Sequence, residues 1–68
     1  MYTAIKRSAQ SVLHQSMPRT EADRIGTHLA DRLSQPGMFE QAAARYHTTD
    51  EFEVGEQAAR EYVKYVLT

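Results

Sequence analysis

The sequence predicts an all-α fold, a compact bundle of three to four short helices that pairs as a dimer. Three observations carry this expectation. Apolar residues recur at steps of three and four along nearly the whole chain, the spacing of one helix face. Pro18 and the pair Pro36-Gly37 interrupt that spacing, as helix breakers do. Finally, 68 residues without a cysteine make a single domain, residues 1–68, with no disulfide or thiolate metal site to brace it. A chain this short buries only about 60% of the surface its unfolded form exposes. Tight helix packing or a second subunit must therefore help.

In the first element Tyr2, Ile5, Ala9, Val12 and Leu13 form one face, with Lys6, Arg7, Gln10, Ser11 and Gln15 opposite. Pro18 disfavours helical backbone at Met17, so this helix ends near Ser16. Thr20 then reads as the N-cap of the second helix. Asp23 three residues on makes a short-armed capping box, and Glu21 sits where the helix dipole favours an acid. Ala22, Ile25, Leu29 and Leu33 carry its stripe. Gly26 lies inside this helix at a cost of about 1 kcal/mol against alanine, a cost that close approach of a neighbouring helix would justify.

After Pro36-Gly37, residues Met38, Phe39, Ala42, Ala43 and Tyr46 make a third, thin-surfaced helix. His47 and Thr48 break the pattern. Thr48 and Glu51 read as a capping box for the last helix, whose stripe is Phe52, Gly55, Ala59, Tyr62, Val63 and Val66. The alternative merges the third and fourth segments into one long, kinked helix.

The end of the last helix is too apolar for an ordinary surface element. At roughly 100° per residue, Tyr62, Val63, Tyr65, Val66 and Leu67 cover an arc of roughly 200°. A surface helix needs a stripe little wider than about 100°. Either this helix is buried on two sides, or Tyr62, Tyr65, Val66 and Leu67 form a self-association surface. Tyrosine suits such a surface because one end is apolar and the other can stay wet.

Composition excludes several function classes. Eight basic against nine acidic residues give a net charge of −1, unlike the basic balance of most nucleic-acid binders. The charges are uneven: residues 1–36 carry five basic and three acidic groups, residues 37–68 three basic and six acidic. The 41% hydrophobic content fits a folded core and not an acidic, disordered chain. No signal peptide, lipidation motif or long apolar run is visible, so the expected location is cytoplasmic, away from membranes.

Nor does the sequence spell out chemistry. His14, His28 and His47 are not at metal-pair spacing, and no phosphate loop is present because Gly26, Gly37 and Gly55 are isolated. No metal or cofactor is implied. His28 and Asp31 share a helix face, as a solvated polar surface does; Ser11 and His14 share another, but no third group in sequence orients His14. Asp50, Glu51, Glu53 and Glu56 lack the ligand alternation of a calcium loop and suit a helix N-terminus. No catalytic residue is assigned, and the chain is expected not to be an enzyme.

Two binding readings remain. Ala22, Ile25 and Gly26 make the segment from Thr20 to Gly26 resemble the start of a helix-turn-helix motif, which implies a DNA-binding regulator. The resemblance ends at Arg32, where the motif needs an apolar residue. With the turn at Pro36-Gly37 instead, Gln41 and Arg45 become the candidate base contacts, beside a basic patch of Lys6, Arg7, Arg19 and Arg24. The favoured reading is a non-enzymatic protein-interaction module, with Arg19, Arg24, Glu53 and Glu56 as candidate partner contacts. In size, and in lacking cysteine and signature motifs, the chain is similar to small orphan proteins of phages and mobile elements. That resemblance implies an inhibitor or regulator that occludes a larger host complex, such as a CRISPR effector.

Overall fold

The computed structural model describes residues 1–67. They form four α-helices in the order α1 (Tyr2–Leu13), α2 (Arg19–Leu33), α3 (Met38–Tyr46) and α4 (Glu51–Tyr62). A single π-helical turn, Val63–Leu67, prolongs α4. The third and fourth segments do not merge. His47 adopts the left-handed conformation (φ 57°, ψ 41°), and the Thr48 N–H donates to the Ala43 carbonyl at 3.1 Å. That closing bond around a left-handed residue is a Schellman-type helix end.

Helix α1 is the centre of the bundle, packed against α2 on one side and α4 on the other. It runs antiparallel to α2. The Gln10 side chain donates to the Asp23 carbonyl at 3.1 Å, and His14 meets the Asp23 carboxylate at 2.8 Å. It runs parallel to α4. The Met1 amino group lies 3.4 Å from Glu51, and Gly55 sits against Ile5 and Ser8. Two helix N-termini therefore share one end of the molecule, where Asp50, Glu51 and Glu53 supply the negative charge that the two aligned dipoles favour.

The core has two adjoining layers. One is built on Ile5, Ala30, Leu33, Ala42, Val54 and Ala58, with Tyr2, Phe39 and Tyr46 at its edge. The other is built on Ala9, Leu13, Ala22, Ile25 and Ala59, with Leu29, Tyr62 and Val63 packed beside it. Alanine dominates both, so the helices approach closely. Glycine marks the tightest places. A Cβ at Gly55 would collide with the Ser8 hydroxyl and lie 2.7 Å from the Ile5 carbonyl oxygen. A Cβ at Gly26 would collide with the Gln10 side chain, so the expected close approach at Gly26 is present, and Gly55 makes a second one.

Both sequence-predicted caps are corrected. Thr20 is exposed within the first turn of α2, and the cap position belongs to Pro18. The extended ψ of Pro18, 149°, turns its carbonyl to accept the Ala22 N–H at 2.9 Å, so the helix starts earlier. Asp23 is drawn away to α1. At α4 the cap is Asp50, whose Oδ1 accepts from the Phe52 N–H at 2.9 Å and the Glu53 N–H at 3.2 Å. Thr48 instead accepts from the Asp50 N–H at 3.1 Å. The cap is displaced by two residues, without the reciprocal bond of a capping box, because the α3 ending consumes His47 and Thr48.

The stripe of α4 is also rotated from expectation. Val54, Gly55, Ala58 and Ala59 face inward, while Phe52 is 48% exposed. On α2, Ala30 is buried and Leu29 only partly so. Among the described residues no helix is long and apolar enough to cross a membrane.

Candidate functional site

The π-turn separates the five apolar residues at the end of α4. A continued α-helix would carry the stripe of Ala59, Tyr62 and Val63 on to Val66, one turn further. The wider π-helical turn bonds i to i+5 and swings the last side chains off that face. Tyr62 and Val63 stay packed against the core layer of Leu13 and Ile25. Tyr65, Val66 and Leu67 stand in solvent at 68%, 61% and 49% exposure. Of the predicted self-association residues, Tyr62 packs against the core and the other three are left exposed.

Beside Tyr65 lies an open groove of about 810 Å³ between α2, α3 and the end of α4. Its apolar walls come from Leu29 and Leu33 of α2, Met38 and Ala42 of α3, and Ala58 and Tyr62 of α4. Ala44, Gln41, Arg32 and Tyr65 border it. Tyr65 therefore belongs both to the groove and to the three exposed residues. The groove was hidden in the sequence because its walls are shared among three helices that meet only in the folded chain.

Three of the polar groups at the groove, Arg45, Tyr46 and Glu61, satisfy one another. Arg45 Nε donates to Glu61 Oε2 at 2.9 Å, and the Tyr46 hydroxyl donates to Glu61 Oε1 at 2.9 Å. Burial, together with the hydrogen bond to Glu61 and its charge, pushes the Tyr46 phenol up to about 12; Arg45 opposes the shift. The phenol therefore remains a neutral donor, and both carboxylate oxygens of Glu61 are occupied. This network joins residues 15 and 16 positions apart, so no local pattern announces it. The groove offers an occupant apolar walls beside the Arg32 and Gln41 side chains.

The predicted partner-contact residues do not share one surface. Arg19 and Arg24 stand at the start of α2, where Arg19 lies 3.7 Å from Asp23 and Arg24 lies 2.7 Å from Glu21. The hydrogen bond and charge of Glu21 raise the Arg24 pKa. Because α2 is antiparallel to α1 and α4 is parallel to it, this end of α2 lies far from the first turns of α4 that hold Glu53 and Glu56. The segment resembling a helix-turn-helix start runs as continuous helix through Gly26. Arg45, a candidate base contact, is tied to Glu61.

A third group does orient His14, contrary to the sequence reading: its Nε2 meets Asp23 Oδ1 at 2.8 Å. No hydrogen bond joins this pair to Ser11 among the described residues, and His14 and Ser11 are exposed. Ser8 is fully buried, but its hydroxyl donates to the Ile5 carbonyl at 3.1 Å. Among the described residues, no three histidine or carboxylate side chains gather to hold a metal ion. Compared with models of known families, with curated proteins and with solved structures, the chain matches none.

Proposed function

We propose that this chain is a non-enzymatic protein-interaction module that self-associates through the end of α4 and acts by occlusion, its rigid helical surface covering a site on a larger protein. The observation that carries the reading is the exposure of Tyr65, Val66 and Leu67, three adjacent apolar side chains left in solvent next to an apolar groove. Exposed apolar surface of this kind marks interaction sites on folded chains. A tyrosine at its centre adds the aromatic contact area in which interfaces are enriched. The larger partner belongs to the class implied by the resemblance to phage and mobile-element proteins, a multisubunit host complex.

Light scattering coupled to size exclusion tests the self-association. The expected result is twice the monomer mass at high micromolar concentration, reverting to the monomer mass for Tyr65→Asp. A wild-type chain that stays monomeric under those conditions would remove the self-association from the proposal.

A further inference from the structure

We draw no further inference here: the strongest candidate, the open groove between α2, α3 and the end of α4 with its apolar walls beside Arg32 and Gln41, carries nothing because nothing in the structure shows what covers it.

Discussion

Asp50 shows how much of an element's start can hang on one carboxylate. Its Oδ1 accepts two of the N–H groups that the first turn of α4 leaves without helical partners. Asp50→Ala is therefore expected to lower unfolding stability by about 1 kcal/mol, read by urea denaturation. Thr20→Ala is expected to change it by no more than a few tenths, since Thr20 caps nothing and is exposed in a helix where alanine is the better former. Tyr46 carries the pH dependence. Its phenol holds its proton more tightly in the fold, to about 12, than the ordinary value of 10.0. The stabilisation is thus complete below pH 10 and lost as pH climbs through 12. Wild type and Tyr46→Phe are expected to differ in stability below pH 10 and to converge by about pH 12. Tyr2 is shifted in the same direction, by burial and then by Asp31. It keeps that contribution in the variant, so the difference between the two proteins isolates Tyr46.

At the scale of the helices, the contact that matters most is the parallel crossing of α1 and α4. Gly55 is unavoidable there because the obstacle to a Cβ is largely backbone, the Ile5 carbonyl at 2.7 Å and the Ile5 Cα at 3.0 Å. Backbone cannot rotate away as a side chain can. Gly55→Ala should cost about 1–3 kcal/mol through forced separation of the helices, outweighing alanine's better propensity of about 1 kcal/mol. Gly26→Ala meets mainly the flexible Gln10 side chain, with the Gln10 backbone nitrogen at 3.2 Å. Its cost is expected to be smaller, and thermal unfolding of the two variants side by side measures the order. The sequence marked Gly26 but read Gly55 only as a member of the stripe. Period alone explains this. Phe52, the largest apolar residue of α4, draws the stripe toward itself, and Val54 and Ala58 four residues apart fit an alternative face equally well. Only the position of α1 chooses between the two faces.

The whole molecule combines a complete fold with an incomplete surface. Its accessible area of 4372 Å² matches the roughly 4,400 Å² of a compact monomer of this size. Variants at Tyr65, Val66 and Leu67, which add little to the core, should keep their helices. Yet six of the eleven buried apolar residues found are alanines, which bury little area each, so intrinsic stability should be small. The proposed self-association would add to it by mass action. The wild-type melting temperature is expected to rise with protein concentration in a calorimetric series, and that of Tyr65→Asp to stay constant.

Helical period and the positions of proline and glycine were enough to predict four short helices and their approximate breaks, because these depend on neighbours within a few positions. The broad apolar end of the last helix was equally visible as a count of residues on an arc. Tertiary structure decided the rest: which face of α4 is buried, which residues cap, and how Arg45, Tyr46 and Glu61 meet. It also divided the apolar end between core and solvent: Tyr62 and Val63 pack against the second core layer, and Tyr65, Val66 and Leu67 stand outside it. Such choices depend on chain segments that lie far apart in sequence and meet only when the helices pack.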